Sequence, residues 1–261
     1  MPTPASEILA KAILPTGLSS ADIRETVPAE IRRRSFFSAR TAEAEYLEEA
    51  RRVCAEAASG RIGSAKAREL LARALRRWGY KDAYGAPGAI DDLGSEERLN
   101  LIIDTQRDMA HSAALLESQT PDLLARYPAW RLVRVGKRDD PRDWQARWAA
   151  AFSACGGKGC APSGEMVARK DSPVWDKIGD GAGGYRDTLG NPYPPFAFNS
   201  GMDWEDVDVD TAEGLGIDCE DIAPKGVSLA PDKADIDRVK KRLGPEMLEA
   251  LKGQLSGMGL W

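Results

Sequence analysis

Apolar side chains recur at helical spacing through much of the chain. Over residues 64–78, alanine, leucine and tryptophan return every three or four positions, which predicts an amphipathic helix with one apolar face. A second helix is predicted over residues 41–58, and Gly60 separates the two, so we expect a helical hairpin. The longest helix is predicted over residues 95–118. Gln106 interrupts its apolar stripe, and we expect that amide to be hydrogen-bonded within the core.

The second half of the chain combines short helices with strand-like segments. Residues 129–135 alternate in polarity and are rich in β-forming side chains, which predicts a strand, and residues 165–168 are a second candidate. Pro121 and Pro141 each mark the first turn of a helix. The second of these helices carries Trp144, Trp148 and Phe152 at intervals of four, a stripe expected in the core. Further short helices are predicted within 1–35, from Ser172, near 211–215, and over 234–243 and 245–255.

Residues 166–217 combine the composition of a loop with the side chains of a core. Six glycines lie from Gly179 to Gly201, and four prolines lie from Pro173 to Pro195. Aromatic rings bury large apolar areas when packed, so a flexible linker would not carry so many of them. We therefore expect a long ordered loop, and such loops usually have a function. The residues expected to anchor it are Trp175, Tyr193, Pro194, Pro195, Phe196 and Trp204.

Several short motifs follow one another between Phe36 and Ile217. They are RLNLIIDTQ at 98–106, PAWRLVR at 128–134, DSPVW at 171–175, NPYPPF at 191–196 and NSGM at 199–202. In order and spacing, this set resembles the Mu F-like head morphogenesis proteins, the minor capsid proteins of tailed bacteriophages. The sequence departs from that family at Trp144, where many members carry a histidine, and near 199–201, where many carry a Cys-Arg-Cys element.

The predicted elements give an α+β fold that is predominantly helical, with a small β element and the long ordered Gly/Pro/aromatic-rich loop. We expect residues 1–35 to form an N-terminal helical arm and residues 36–217 to form the Mu F-like core. Residues 218–261 are expected to form a C-terminal loop and helical tail. Because the arm has little apolar surface of its own, we expect it to pack on the core or on a partner.

The composition, with 43% apolar and 30% charged residues, is ordinary for a soluble globular protein. No apolar run is long enough to span a bilayer, and the N-terminus lacks the features of a signal peptide, so no membrane is expected among the partners. The four cysteines are too few for a disulfide scaffold. Cys155 and Cys160 have no second close pair to complete a zinc site, so we expect no metal there.

Charge is unevenly distributed along the chain. Residues 61–90 carry seven basic and two acidic residues, residues 121–170 carry ten and five, and residues 171–225 carry three and thirteen. One interpretation is ordinary solvated surface. The other is that the basic segments face nucleic acid or an acidic partner, although the net charge of −5 argues against DNA as the main partner. The candidate DNA-facing residues are Lys66, Arg73, Arg76, Arg77, Arg131, Arg134, Lys137 and Arg138.

Two further patterns suggest chemistry. Residues 179–184 match G-x-G-x-x-G, but a dinucleotide site needs a strand before and a helix after the glycines, so a structural turn is the favoured interpretation. Acidic residues crowd residues 203–210 without the glycine and final glutamate of an EF-hand loop, and we expect a solvated, acidic helix start. The single histidine is His111, and the sequence contains no Gly-x-Ser-x-Gly motif whose serine it could activate as a base. No catalytic residues are therefore assigned.

The resemblance implies a non-enzymatic structural protein of a tailed phage or prophage, without a cofactor. Its implied partners are the portal and other capsid proteins, with packaged double-stranded DNA as a further, sequence-independent partner. Its implied location is the virion, at the capsid interior or portal vertex, and the bacterial host cytoplasm during assembly. Two other functions stay open: a nucleic-acid-binding module, and a transferase or toxin-type enzyme like those fused to some family members.

Overall fold

A computed structural model of the chain describes residues 3–27, 29–80, 88–89, 91–136, 142–226 and 252. Ten helices and five strands form within this part of the chain. The predicted α+β, predominantly helical fold is therefore confirmed. The contacts divide the described chain into two compact units, residues 3–111 and residues 112–226. We refer to them as the N-terminal and C-terminal units. The division lies within the longest helix, inside the segment 36–217.

The N-terminal unit is mainly helical, with one pair of two-residue parallel strands. Its helices are short at the start of the chain and long from Ala44 onward. Its elements are α1 (Pro4–Ala10), β1 (Ala12–Ile13), α2 (Ser20–Thr26), α3 (Ala29–Arg33), β2 (Ser35–Phe36), α4 (Ala44–Ala58), α5 (Ser64–Arg77) and most of α6 (Glu96–Glu117).

One hydrophobic cluster joins α1, α4, α5 and α6 in this unit. On α5, the buried residues Ala67, Leu71, Ala74 and Leu75 follow the helical repeat that the sequence pattern predicts. Ile8 of α1 is fully buried in the same cluster, so the start of the chain packs on the helical body. The predicted stripe is wrong at its last member. Trp78 is the C-cap of α5 and remains 38% exposed, because the helix ends before its indole reaches the core.

The C-terminal unit contains a small three-stranded sheet and several short helices. The sheet order is β4-β3-β5, and both pairings are antiparallel. Thr120 caps α7 through its side chain, with Pro121 in the first turn, as the sequence predicts. The elements are α7 (Pro121–Arg126), β3 (Ala129–Arg134), α8 (Trp144–Ala154), β4 (Val167–Arg169), α9 (Val174–Gly179), β5 (Met202–Val207) and α10 (Val209–Gly214).

The acidic segment 203–210 differs from its prediction as a helix start. Met202–Val207 is a strand, and its residues pair with β3 from Arg134 back to Ala129. Only the end of the acidic segment belongs to a helix: Asp208 is the N-cap of α10, and its carboxylate accepts a hydrogen bond from Thr211 N at 2.9 Å. The error has a physical cause, because the apolar residues of this strand are few and two of its acids are held by cations.

Some predicted features lie outside the described residues. They are the helix start at 140–141, the C-terminal helices at 234–243 and 245–255 apart from Lys252, and two of the basic residues, Lys137 and Arg138.

Candidate functional site

Trp175 is the centre of an aromatic cluster in the C-terminal unit. Its ring lies 5.5 Å from Trp148 of α8, 5.5 Å from Trp204 of β5 and 6.1 Å from Phe196, between ring centroids. Trp175 is 1% exposed and Phe196 is fully buried. The burial predicted for these two rings is therefore confirmed, and the surface that buries them comes from both α8 and the sheet.

The remaining predicted anchors are buried as well. Tyr193 is fully buried, Pro194 and Pro195 are buried and joined by a cis peptide bond, and Trp204 is 9% exposed. Trp204 stacks on Trp130 of β3, with ring centroids 3.7 Å apart and planes within 9°. The loop is thus ordered because its rings complete a core that the short sheet alone does not fill.

A buried lysine, which the sequence analysis did not single out, closes one side of this cluster. Lys170 is 3% exposed, and its ammonium lies 5.0 Å from the centre of the Trp130 ring. It forms an ion pair of 2.7 Å with Asp206 and donates a hydrogen bond of 2.8 Å to Gln119 Oε1. Burial lowers the pKa of Lys170, and the Asp206 carboxylate opposes that shift.

The glycine segment 179–184 forms turns. Helix α9 ends at Gly179, and Gly181, Gly183 and Gly184 have positive φ angles that other residues adopt with strain. A Cβ on Gly179 would overlap the carbonyl oxygen of Asn191, so close backbone packing requires glycine there. Turns and not a helix follow Gly184. This context supports the structural interpretation of the glycine pattern.

An acidic residue beyond these turns holds two arginines. Asp187 forms ion pairs with Arg142 at 2.7 Å and Arg147 at 2.8 Å. The Arg147 guanidinium also lies over the Tyr185 ring, 4.3 Å from its centre. The pKa of Asp187 is lowered: burial raises it, but the hydrogen bond and charge of Arg147 and the charge of Arg142 outweigh that effect. These pairs join the start of α8 to the glycine turns, a contact that no local sequence pattern signals.

The four basic residues predicted on α5 are all exposed. They do not form one free cationic face. Lys66 and Arg73 share Glu69, at 2.9 Å and 2.5 Å, and Arg77 pairs with Glu49 of α4 at 3.0 Å. Arg76 forms no ion pair with a described residue. Exposed pairs of this kind are weak, so the side chains stay available to a stronger anion.

One member of this basic group lies beside apolar residues of α5 and not on a separate cationic face. Arg77 lines an open groove together with Leu70 and Trp78. The reason is its position in the last turn of α5, which turns its guanidinium towards Glu49.

The described members of the second basic group, Arg131 and Arg134, lie on β3 in the C-terminal unit. Arg131 is half-buried and faces Glu205 of β5 across the sheet, at 3.6 Å, and the two residues are partners in the strand register. Arg134 is exposed and donates a hydrogen bond of 3.3 Å to the Arg142 carbonyl oxygen. Of the described residues of this group, Arg134 is therefore the one whose charge is most exposed to solvent.

The N-terminal unit also contains a fully buried lysine, and the sequence analysis did not single it out. Lys11 donates a hydrogen bond of 2.6 Å to Gln106 Oε1, so the interruption in the α6 stripe is the partner of a buried cation. Gln106 is buried and hydrogen-bonded, as predicted. Burial lowers the pKa of Lys11 to about 7, against the attraction of Cys54 and Glu7. Lys11 and Gln106 are 95 positions apart, so no local pattern links them. The sequence indicates this contact only through the polar Gln106 within the apolar stripe of α6.

The cysteines are all free thiols, and Cys54 and Cys160 are buried. Burial raises the pKa of Cys160 to about 12, which disfavours the thiolate that metals and electrophiles require. Among the described residues, no group of three or more His, Cys, Asp or Glu side chains could hold a metal ion.

A groove of about 700 Å³ is lined by residues of α4, α5 and β1 in the N-terminal unit. Its apolar lining includes Ile13, Val53, Leu70 and Trp78. We refer to it as the α4–α5 groove.

No protein-family model matches this chain, and no curated protein or solved structure is significantly similar to it. Among the described helices, none is both long and apolar enough to cross a membrane.

Proposed function

We propose that this chain is a structural minor capsid protein of a tailed phage or prophage, which binds near the portal and takes part in genome packaging or delivery. The main support for the proposal is that residues of the motifs listed above have a structural role in the core. The residues behind the Mu F-like resemblance in the loop, Trp175 and 193–196, are also the packed centre of the C-terminal unit. A resemblance carried by core residues reflects a fold more securely than one carried by scattered surface positions.

The rigidity of the loop supports a role in assembly. The turns at 179–184 are held by close backbone packing, and Asp187 ties them to two arginines. A surface built this way reaches a partner with little conformational entropy left to lose, which favours binding. The loop is therefore suited to present a fixed surface to a large, repetitive partner such as a portal ring.

Co-purification with the portal and scaffolding proteins encoded in the same phage or prophage genome tests the proposal. We expect the chain to co-migrate with the assembled portal ring in size-exclusion chromatography, and not with a portal ring from an unrelated phage. If the chain elutes alone in the presence of every cognate head protein, the proposal is wrong.

A nucleic-acid-binding module is the second candidate function, and the exposed cations of α5 favour it. Contacts between Arg or Lys and phosphate are independent of sequence and weaken as salt rises. If strong duplex binding occurs without any binding to the portal ring, DNA recognition replaces portal binding as the function.

A further inference from the structure

The α4–α5 groove combines an apolar lining with a charged rim. Val53 is 7% exposed, Ile13 and Leu70 are half-buried, and Trp78 leaves 38% of its surface open. An open indole beside half-buried aliphatic side chains offers a continuous apolar strip to a partner. Trp78 is also anchored, since its Nε1 lies 3.5 Å from a Glu49 carboxylate oxygen.

The rim of the groove is acidic. Four glutamates and two arginines line it, which gives a local charge of −2: Glu45, Glu48, Glu49, Glu56, Arg52 and Arg77. Two of these glutamates are engaged, Glu48 with Arg51 at 2.8 Å and Glu49 with Arg77 at 3.0 Å. Glu45 and Glu56 form no ion pair with a described residue. Two carboxylates are thus left for an incoming cation.

The spacing of the Glu45 and Glu56 carboxylates determines the length of the helix that can pair with both. Glu45 and Glu56 are eleven residues apart on α4, which is close to three whole turns, so they face the same side about 16 Å apart. A helix of about three turns lying in the groove would place basic residues beside both. Its apolar face would meet the strip between them, in the way that amphipathic helices occupy hydrophobic grooves.

We propose that the α4–α5 groove binds a basic amphipathic helix of a partner protein. Leucine-like side chains of that helix pack on Val53, Leu70 and Trp78, and a Lys or Arg at each end pairs with Glu45 or Glu56. A cation near Trp78 gains a further attraction from the indole ring. The acidic rim disfavours the two anionic alternatives, nucleic acid and lipid headgroups, by like-charge repulsion. The inference does not depend on the proposed capsid function.

A labelled synthetic peptide tests this proposal with the full-length chain. The peptide is an amphipathic helix of about 15 residues, with leucines on one face and lysines eleven positions apart. A second peptide carries glutamates in place of those lysines. Fluorescence anisotropy should show the basic peptide binding at least tenfold more tightly than the acidic one. Equal binding of the two peptides, or no binding of the basic one, overturns the proposal.

Matched variants locate the binding. Glu45→Gln with Glu56→Gln should weaken binding of the basic peptide about tenfold, and Trp78→Ala should weaken it separately. The control is Glu25→Gln with Glu97→Gln, which removes the same charge at two exposed positions elsewhere in the unit and should leave binding unchanged. If the control weakens binding as much as the groove variant, net charge and not the groove explains the affinity, and the proposal fails.

Two other occupants of the groove are outcomes of the same experiment. The segment 234–243 of this chain is itself basic and amphipathic in sequence. If the basic peptide binds only to a variant of this chain that carries Lys240→Glu and Lys241→Glu, segment 234–243 is the natural occupant of the groove. A partner helix is then not the occupant. If sedimentation shows a dimer that Glu45→Gln with Glu56→Gln dissociates, a second copy is the occupant. Either result overturns the proposal.

Discussion

At the scale of single residues, Trp175 has the most contacts with other rings in the C-terminal unit. Truncating a large, buried aromatic side chain removes its burial and leaves a cavity, at a typical cost of about 3–5 kcal/mol. We expect Trp175→Ala to lower the free energy of unfolding by that amount in urea denaturation. The matched control is Trp78→Ala, whose indole is 38% exposed and should cost far less. Unchanged stability in Trp175→Ala would mean that the aromatic cluster does not form.

Lys11 gives a prediction about pH. Its pKa of about 7 in the folded chain lies below its ordinary value of 10.5. Between these values the unfolded chain holds a proton that the folded chain lacks, so this group makes stability rise with pH by up to about 1.4 kcal/mol per unit. Below pH 7 both states are protonated, and the burial cost is constant.

We therefore expect Lys11→Met to remove that rise. The stability difference, wild type minus variant, should increase from about pH 7 to about pH 10 and be flat below, measured by urea denaturation across the range. Burial raises the pKa of Cys54 to about 12, so its thiol stays neutral in both folded proteins over this range and contributes equally to the two profiles. Parallel pH profiles for the two proteins would show that Lys11 is not buried as described.

At the scale of the element, the glycine turns can be tested by adding one methyl group. A Cβ at Gly179 would overlap the backbone of Asn191, so Gly179→Ala must displace the loop or the end of α9. We expect a loss of at least 2 kcal/mol in thermal or urea unfolding, on the order of other overpacking changes. Gly214→Ala is the control: it is helical, its Cβ would meet open space, and alanine should be neutral or stabilising.

The exposed cations of α5 make a second prediction at this scale. We expect weak binding to any DNA duplex, lost progressively as salt rises through the physiological range. Arg73→Glu with Arg76→Glu should weaken it further without unfolding the chain, because both side chains are exposed. The control, Arg126→Glu with Lys158→Glu, makes the same change of charge on exposed positions of the other unit. Duplex binding that survives high salt and the Arg73/Arg76 reversal would contradict this prediction.

The elements also show where sequence patterns succeed and fail. Helix α5 was predictable because its buried positions repeat every three or four residues, and α7 because Thr120 and Pro121 mark its start. Strand β5 was not, because acidic residues occupy alternate and even adjacent positions. Their cationic partners are Arg131 on β3 and Lys170, the residue after β4, and both are distant in sequence. The α4–α5 groove depends on three elements together, so no local pattern could have indicated it.

At the scale of the whole molecule, metal content tests the prediction that Cys155 and Cys160 hold no structural zinc. Cys160 is buried, its thiol pKa is raised to about 12, and no third ligand lies near it among the described residues. We expect protein purified without chelator to contain less than one equivalent of zinc by elemental analysis. A full equivalent, lost on Cys160→Ser, would contradict this expectation and require a ligand set that includes residues outside those described.

The buried ammonium of Lys170 makes the alignment of the sheet specific. If β5 slipped by one residue along β3, Trp204 would turn to the opposite face of the sheet. If it slipped by two so that Trp204 took the place of Asp206, Asp206 would move about 7 Å from Lys170, and the cation would lose its ion-pair partner among the described residues. Because the Asp206 carboxylate is 47% exposed, the loss of this pair costs less than the about 3–5 kcal/mol typical of a fully buried pair. Lys170 therefore favours the native register of the sheet. A chain with apolar residues at positions 170 and 206 would tolerate mispaired sheets that this one rejects.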